Sequence, residues 1–577
     1  MAGASGAGGE GRGRGRPGAR RVHARELLGV FALGAGLALI ALARLLPIAT
    51  ERVPGSPDVL LVLSLLRWGA ESLGSWDAFW SPPFFFPTEG VRTYADHFAG
   101  HLLVFAPLAR LAGDALGYNL LLWLSFPVAA VCVHVLLRRV GAGRGVAAAL
   151  ALAWAFAPYR WDQIGRLQML WVPGIPLALV AFDRLLERPV PRRAVAFVAA
   201  YALAVSAGSY LAYWLHIPLA ALAIARLART PARLATTRAR RALAGAVLGA
   251  LLLAGLSFGP YLAAASDGEL ARAEREVRTL GAEVRSWLAP SPRNLYAGLV
   301  PAEWMRYERA LFPGFLLAGA AAAGALALVR GRRRRARSLE LALFASAAAF
   351  VALAFAPVWL AVRELLPGMS SMRGPTRTYS YVLLAVALLG ARGLGRIAAR
   401  LGRRRALRVG GVAAALLLLV EVWPLRFETW ETPAVDSRAR HRPYVGVLAG
   451  LERARAVAVL PLTGDHREAR RMQPATVHGL PIVNGYSGFT APSYRRAVAR
   501  CGVDRLPVSA GCLGLLARLG VSHVVVEAAP GAARVEDVLE PAAAARARTL
   551  FQRHRTFVFE LRPARRRPER LSARPRS

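Results

Sequence analysis

The 577-residue sequence contains no lysine, so all 75 of its basic residues are arginines. They outnumber 35 acidic residues and give a formal net charge of +40. In a soluble protein this surplus would indicate a nucleic-acid-binding surface. Here the arginines stand mainly between apolar runs and at the two chain ends, which membrane orientation and contact with anionic headgroups explain better. We therefore expect no nucleic-acid partner.

Cysteine is equally scarce, and its three residues allow at most one disulfide. No metal-ligand spacing is present, so we expect no metal site and no cofactor. Cys132 lies in an apolar run, which predicts an inert core residue. Cys501 and Cys512 stand in a polar region and can pair if its compartment is oxidising. Two free thiols are the equal alternative.

Apolar residues are what the sequence has in excess. They make up 55% of the chain and form runs near the ~20 residues that cross a bilayer core. Every second gap between the runs is rich in arginine. Residues 226–241 hold six arginines and no acid, whereas residues 267–309 hold seven acids and seven arginines. The positive-inside rule places the first gap in the cytoplasm and the second on the opposite side.

This pattern predicts an α-helical polytopic membrane protein with about eleven transmembrane helices and a cytoplasmic N-terminus. The predicted spans are residues 26–47, 116–137, 145–159, 169–186, 194–207, 211–224, 243–265, 311–329, 339–362, 379–391 and 407–423. They form one transmembrane domain over residues 26–423.

A short apolar stretch at residues 101–112 decides the topology. If it spanned the membrane, the arginines at positions 138, 139 and 144 would lie outside the cytoplasm. If it lies flat on the membrane, five arginine-rich loops all fall inside, so we predict the flat arrangement. Residues 59–68 are also too short to span. We place them at the interface, within a large extracytoplasmic first loop over residues 48–98.

Beyond residue 423 the apolar runs shorten to strand length, which predicts a small α/β domain over residues 424–561. An odd number of spans places it on the extracytoplasmic side. Strands are expected at 456–460, around Ile482 and Val483, at 523–526 and at 556–561, with helices at 493–500 and 512–519. Residues 1–25 and 562–577 are basic and have no apolar core, so we predict disordered tails.

The charges of the extracytoplasmic loops suggest chemistry. The spans carry few ionisable side chains, which argues against an ion or proton transporter. The first loop, by contrast, is rich in acids, and later loops on the same side add arginines. A carboxylate can act as general base for an acceptor hydroxyl, and arginines can bind a departing phosphate. Loop charges that are merely solvated are the alternative.

Several stretches carry a resemblance to a known superfamily. They are FFFPTEGVRTYADHFAGHLL, GYNLLLWLSF, AFAPYRWDQIGRLQML, ALFPGF, MSSMRGPTRTYS, LPIVNGYSGFTAPSYR and LARLGVSHVVVE. The chain resembles the GT-C membrane glycosyltransferases and, within them, a bacterial group close to the YfhO-like proteins. The resemblance implies an enzyme of the bacterial inner membrane. It would transfer a sugar from a polyprenyl-phosphate donor to an extracytoplasmic cell-envelope acceptor.

The resemblance also assigns residues. Asp58 stands at the position of the superfamily's first-loop carboxylate, and Asp96 stands where the bacterial group has an acid followed by His, so both are implied as catalytic. The implied substrate-binding residues are His97, Arg160, Gln168, Arg373 and Arg377. Two residues depart from the group: Pro57 replaces a glycine, and Arg166 replaces a histidine.

Two other function classes remain open. A lipid or polysaccharide transporter needs polar residues along its spans, and those are sparse here. A non-enzymatic accessory protein would use the C-terminal domain to organise a cell-envelope complex. Replacement of Asp58 or Asp96 discriminates, because it inactivates a transferase and leaves an accessory protein working.

Overall fold

The structure is a computed structural model that describes residues 22–562 with short gaps. The gaps are residues 57, 230–235, 267–269, 307, 331–336, 403–408, 424–428, 432–443, 453, 503–504, 529–530 and 533. The two predicted tails lie almost entirely outside the described residues, as does Pro57.

Helices dominate the first three quarters of the chain. In chain order they are α1 (Ala24–Ala41), α2 (Asp58–Glu71), α3 (Trp76–Trp80), α4 (Ala99–Ala112), α5 (Asp114–Arg139), α6 (Arg144–Ala155), α7 (Pro158–Asp162), α8 (Leu167–Leu170), α9 (Gly174–Glu187), α10 (Pro191–Ala207), α11 (Ser209–Trp214), α12 (His216–Leu227), α13 (Thr237–Ser266), α14 (Glu274–Leu280), α15 (Phe315–Val329), α16 (Ser338–Leu353), α17 (Ala356–Val362), α18 (Tyr379–Leu401) and α19 (Gly411–Val422).

Six helical segments of the described chain are long and apolar enough to cross a membrane. They are Ala24–Ala41, Asp114–Arg139, Leu167–Glu187, Ser209–Leu227, Thr237–Ser266 and Pro375–Leu401. A seventh is formed if α16 and α17 count as one span, although they bend by 100°. The chain is therefore a polytopic helical protein, as predicted.

Helices lie within every predicted span, but several of these spans are interrupted, and two of the interruptions precede a proline. The helix predicted over 145–159 ends at Ala155, and the one over 339–362 is divided between α16 and α17. A proline stands in the first turn of the helix after each break, Pro158 in α7 and Pro357 in α17. Proline has no N–H to donate, so it begins a helix more readily than it continues one. The count of eleven spans stays a prediction.

The two helices predicted to lie flat have the expected length. α2 and α4 contain 14 residues each, about 21 Å at 1.5 Å per residue, which is less than the ~30 Å hydrocarbon core. α2 packs on α4, and α4 packs on the long helix α5. The orientation of α2 and α4 parallel to the membrane plane stays a prediction.

Close packing of small residues fixes α18 against α15. A Cβ on Gly393 would lie 2.4 Å from the Gly324 backbone nitrogen in α15, and one on Gly324 would lie 2.1 Å from the Leu389 carbonyl oxygen. Such contacts let helix backbones approach closely in a membrane. The segment that leads into α18 is thereby held against a rigid helix pair.

Buried ion pairs join the opposite ends of the helices, where the arginine-rich loops begin. The Glu26 carboxylate oxygen Oε1 in α1 lies 2.8 Å from both His134 Nε2 and Arg138 Nε. Asp183 of α9 pairs with Arg139 and Arg226. Both carboxylates are largely buried, so these pairs hold helix ends together.

The C-terminal domain contains a four-stranded mixed sheet. Its strands are β3 (Val457–Leu460), β4 (His523–Glu527), β5 (Ala547–Arg553) and β6 (Thr556–Leu561), in the order β3-β4-β6-β5. β3 and β4 are parallel, and the other pairs are antiparallel. The helices are α20 (Tyr444–Ala449), α21 (Ala469–His478), α22 (Pro492–Cys501), α23 (Ala510–Arg518) and α24 (Pro541–Ala544). An α/β domain is present here, although its extracytoplasmic location stays a prediction.

Three details of this domain refine the predictions. The expected strand around Ile482 is only an isolated bridge to Val457. β5 was not predicted, because its polar sequence and exposed side chains lack an alternating pattern. Cys501 and Cys512 form a disulfide that joins α22 to α23, so the paired alternative is the one that the structure adopts.

The first loop holds the C-terminal domain in place. β1 (Arg52–Pro54) pairs antiparallel with β2 (Thr429–Glu431), which follows the last helix. Further along, Phe85 N donates to Asn484 O, and Ile482 N donates to Pro83 O. The domain is therefore bound to the first loop by backbone hydrogen bonds at two places.

Candidate active site

A cavity of about 380 Å³ lies where the first loop, the helical region and the C-terminal domain meet. Its charged lining residues are two carboxylates and four arginines: Asp58, Asp96, Arg166, Arg272, Arg373 and Arg377. Much of the remaining wall is aromatic or aliphatic, and it includes Phe258, Tyr261, Leu262, Tyr486 and Phe489. Ionic chemistry can therefore take place here beside a surface that suits an apolar chain.

Asp58 is the first residue of α2, where the helix N-terminus favours a negative charge. The Tyr486 hydroxyl donates a hydrogen bond of 2.6 Å to Asp58 Oδ1. Arg166 Nε lies 3.4 Å from Oδ2, and the carboxylate side chain is 17% exposed. Asp58 is thus held between a phenol of the C-terminal domain and an arginine of the helical region.

Asp96 is fixed more rigidly than Asp58. Its Oδ1 accepts hydrogen bonds from Ser209 N at 2.6 Å, Ser209 Oγ at 2.8 Å and Tyr210 N at 3.2 Å. These groups form the beginning of α11. Gly208 permits the approach, since a Cβ there would lie 3.1 Å from Asp96 Oδ1. Asp96 therefore anchors the start of α11 to the first loop.

Behind the cavity, Glu308 joins two of the lining arginines. It makes a bidentate pair with Arg377, with contacts of 2.9 and 2.6 Å, and Arg166 Nη2 lies 3.3 Å from Oε1. Burial alone raises the pKa of Glu308, but the charges of Arg377 and Arg166 outweigh it and lower the pKa to about 2. Its backbone is left-handed, with φ of 61°, which costs about 1 kcal/mol in a non-glycine residue. Glu308 thus stays ionised and fixes both guanidinium groups.

Arg272 and Arg373 form the opposite rim. Arg373 Nη1 binds Glu276 at 2.7 Å, and Arg272 Nη1 lies 3.3 Å from the same carboxylate oxygen. Burial, with the nearby charge of Arg373, lowers the pKa of Arg272 to about 10, so it remains protonated at neutral pH. Two cations share one acid here. The net charge of this rim is therefore positive and favours the binding of an anion.

The C-terminal domain closes the cavity with the segment from Tyr486 to Phe489. Asn484, which is fully buried, anchors this segment. Its amide accepts from Val459 N at 2.8 Å and donates to Val459 O and to Glu468 Oε2. Farther along, Gly488 N donates to Tyr94 O at 3.1 Å. The covering segment is therefore tied to the sheet on one side and to the first loop on the other.

The apolar wall continues onto the outer face of α13. Leu262 lines the cavity and is 46% exposed. Farther along the same helix, Leu248, Leu251, Leu252 and Leu256 are each more than half exposed. A helix that is apolar on its exposed face suits contact with lipid chains. The cavity is thus bordered by a helix with a lipid-compatible surface.

The structure brings five of the seven predicted site residues to this cavity: Asp58, Asp96, Gln168, Arg373 and Arg377. Their roles in a reaction remain predictions. The other two, His97 and Arg160, are not among the residues that line it.

His97 faces away from the cavity into protein. It is buried, and its Nε2 lies 2.9 Å from Ser257 Oγ of α13. Burial lowers the pKa of His97 to about 4, so the ring is neutral at physiological pH. A neutral, buried imidazole packs the first loop against α13. The expectation that it contacts substrate from the cavity wall is therefore not met.

Arg160, which the resemblance implied as substrate-binding, does not line the cavity. Its side chain is fully buried, and its guanidinium donates to the carbonyl oxygens of Ala155 and Leu170 at 2.9 and 3.0 Å. It also lies 4.8 Å from the centre of the Trp154 ring. Arg160 holds the irregular chain between α6 and α9 instead.

The sequence interpretation missed two residues of the site. Glu308 is one of seven acids between residues 267 and 309, and nothing in the sequence separates it from the others. Tyr486 lies in the LPIVNGYSGFTAPSYR stretch, which carries the family resemblance, but its contact with Asp58 spans 428 residues. Arg166 was noted as a departure from the group, and that departure was the available signal. Among the described residues, no group of three or more His, Cys, Asp or Glu side chains could hold a metal ion.

Comparison with known proteins identifies the fold. No family model and no curated protein matches the sequence. The solved structure of the arabinofuranosyltransferase AftD from Mycobacteria is similar, with 16% identity and a TM-score of 0.55. The alignment covers 94% of this chain and 40% of the AftD chain. The likeness shows a GT-C-like polytopic membrane fold, as the resemblance implied. The YfhO-like subgroup stays a prediction.

Two further solved structures are more distantly similar to this chain. The oligosaccharyltransferase of Archaeoglobus fulgidus aligns with 11% identity and a TM-score of 0.43, over 86% of this chain and 69% of that one. ArnT from Cupriavidus metallidurans bound to undecaprenyl phosphate aligns with 14% identity and a TM-score of 0.37, over 93% and 98%.

Proposed function

We propose that this protein is a membrane glycosyltransferase. It moves a sugar from a polyprenyl-phosphate donor to a cell-envelope acceptor at the extracytoplasmic face of a bacterial inner membrane. One observation carries the proposal: Asp58, Asp96 and four arginines line a single cavity that also has an apolar wall. The AftD-like fold supports the same kind of reaction.

In the proposed reaction, the oxygen of an acceptor hydroxyl attacks the anomeric carbon of the donor sugar. The new glycosidic bond forms as the bond from that carbon to the phosphate oxygen breaks. The departing phosphate keeps the electron pair, and the hydroxyl proton passes to a carboxylate of the protein. Positioned arginines stabilise the negative charge that develops on the phosphate.

Asp58 is the better candidate for the base. Protonation of Asp96 at Oδ1 would disrupt three hydrogen bonds that anchor α11. Asp58 accepts a hydrogen bond from the Tyr486 hydroxyl, and its other carboxylate oxygen lies 3.4 Å from Arg166 Nε. A hydroxyl can both donate and accept, so it adapts to a protonated carboxyl. Asp96 then keeps the cavity in shape opposite the arginines.

The donor phosphate fits the arginine rim. Arg373 and Arg272 share the single charge of Glu276 and so keep positive charge in excess, whereas Glu308 and Asp58 balance Arg166 and Arg377. Guanidinium groups bind phosphate oxygens through charge-assisted hydrogen bonds. The apolar surface around Phe258 and Leu262 would take the first isoprene units of the lipid. Because that surface belongs to α13, the lipid chain could remain beside the bilayer.

Replacement of Asp58 tests the proposal. In a strain that lacks the protein, the Asp58→Asn variant should insert normally and fail to restore the wild-type envelope glycan. Asp77→Asn is the matched control, since Asp77 is an exposed first-loop aspartate outside the cavity. Cells that lack this activity should accumulate the donor lipid. The mass of that lipid would identify the sugar.

The same experiment separates the alternatives. If Asp58→Asn and Asp96→Asn both restore the glycan, the transferase proposal is wrong and an accessory role takes its place. If both variants fail but purified wild-type protein moves the intact lipid across vesicles without cleaving it, the protein is a transporter.

A further inference from the structure

A second, open groove of about 420 Å³ lies beside the cavity, on the C-terminal domain. Its lining consists of Arg272, Gly464, Gly488, Phe489, Thr490, Tyr494, Arg495 and Val498. Three of these residues, Arg272, Gly488 and Phe489, also line the cavity. The groove and the cavity are therefore neighbouring spaces divided by one thin wall.

That wall is an arginine stacked on an aromatic ring. The Arg272 guanidinium carbon lies 3.6 Å from the centre of the Phe489 ring. Gly488 allows this closeness, since a Cβ there would lie 2.9 Å from Arg272 Nη2 and 2.6 Å from Tyr94 O. The two sides of the wall come from different parts of the fold, the helical region and the C-terminal domain. A small relative shift of the side chains would join the two spaces.

The groove has a distinct charge. Its described lining contains two arginines and no acid. Arg495 is exposed, its guanidinium donates to the Thr490 carbonyl oxygen at 3.2 Å, and no carboxylate among the described residues pairs with it. Arg272 shares Glu276 with Arg373 and so contributes only part of its charge. The groove therefore presents positive charge together with aromatic and hydroxyl groups.

We propose that this groove binds the acceptor, and that the acceptor is an anionic glycan, a sugar chain that bears carboxylate or phosphate groups. Arg495 binds the anionic group, while Phe489 packs against the sugar ring. The hydroxyl to be glycosylated then reaches Asp58 past the Arg272–Phe489 wall. This inference rests on the proposed transfer reaction. The inference adds the chemical class of the acceptor and places its entry on the side of the C-terminal domain.

Binding to the purified full-length protein in lipid nanodiscs tests the inference. The probes are a glucuronate-containing disaccharide, its carboxyl-reduced neutral form and glucose 6-phosphate. We expect at least one anionic probe to bind about tenfold more tightly than the neutral disaccharide, as one charge-assisted contact allows. Preference for the carboxylate or for the phosphate probe identifies the anionic group.

Two neighbouring arginines provide the variants. Arg495→Gln should remove most of the preference for anionic probes. Arg496→Gln should leave it intact, because Arg496 is also exposed and lies outside the groove lining. Equal binding of anionic and neutral probes, or equal losses in the two variants, would overturn the inference.

Kinetics separates this inference from the proposed function. Once an acceptor is known, Arg495→Gln should raise its KM about tenfold and leave kcat almost unchanged, whereas Asp58→Asn should lower kcat. A normal acceptor KM in Arg495→Gln, with transfer still dependent on Asp58, would reject the groove and keep the transferase. Retained transfer in Asp58→Asn would reject the proposed catalytic role, while the binding measurements still decide the groove.

Discussion

Two regions of this molecule cluster arginines with buried carboxylates, and only one of them surrounds open space. At the arginine-rich ends of the helices, Glu26 and Asp183 are enclosed by cationic partners. At the other ends, Asp58 and Asp96 line a cavity together with four arginines. In the first region the charges pair with one another across helix ends, so they join helices. The second leaves charge directed at a space that a ligand can fill.

The sharpest test of this contrast compares Asp58→Asn with Asp183→Asn. In the cavity, the Asp58 change should lower kcat/KM by about 100-fold or more, the contribution expected of a general base, with little change in melting temperature. In the cluster at the helix ends, the Asp183 change should lower the melting temperature and leave the activity of the folded fraction intact. Melting and transfer assays in detergent measure both. Equal losses of activity in Asp58→Asn and Asp183→Asn would contradict the proposed difference between the two regions.

A second test concerns Glu308, which shares features of both regions. Glu308→Gln leaves Arg377 buried without its bidentate counter-charge and should destabilise the protein by about 3–5 kcal/mol. Thermal unfolding in detergent measures the loss. Glu303→Gln is the matched control, because Glu303 is an exposed acid in the same loop. Similar melting temperatures for the two variants would show that the Glu308 charge does not stabilise the fold.

The pH dependence of stability sharpens the same point. Against the effect of burial, the charges of Arg377 and Arg166 lower the pKa of Glu308 from its ordinary value of 4.5 to about 2 in the folded protein. Because the folded pKa is depressed, this group stabilises the fold above pH 4.5 and loses that contribution as the pH falls towards 2. Wild-type protein should therefore lose more stability than Glu308→Gln between pH 5 and about 3. Parallel pH curves for the two proteins would contradict this assignment.

The smallest effect is expected at Tyr486. Tyr486→Phe removes the hydrogen bond to Asp58 and keeps the ring, so it should cost about 1 kcal/mol and lower kcat/KM several-fold. Tyr213→Phe is a control, since Tyr213 lines the cavity but donates to the Pro367 carbonyl oxygen. Equal effects of the two changes would indicate that the Asp58 contact has no special role.

The sequence predicted elements better than it predicted contacts. Apolar runs and arginine asymmetry located the helices, because both patterns are local along the chain. The shared cavity of Asp58 and Asp96 followed from resemblance. Arg160 was misplaced because a guanidinium that binds two carbonyl oxygens in its own loop has the same sequence signature as one that faces a ligand. Glu308 and Tyr486 depend on contacts between distant segments, which periodicity cannot report.

The pairing of β1 with β2 has a consequence for how the protein is made. Residues 52–54 leave the ribosome long before residues 429–431, yet each strand finds its partner only in the other. The first loop must therefore wait, with its carboxylates uncovered, until almost every helix has been inserted. A chain that stalls or is cut short before residue 486 cannot place a phenol on Asp58. The fold thereby withholds its completed cavity from unfinished chains.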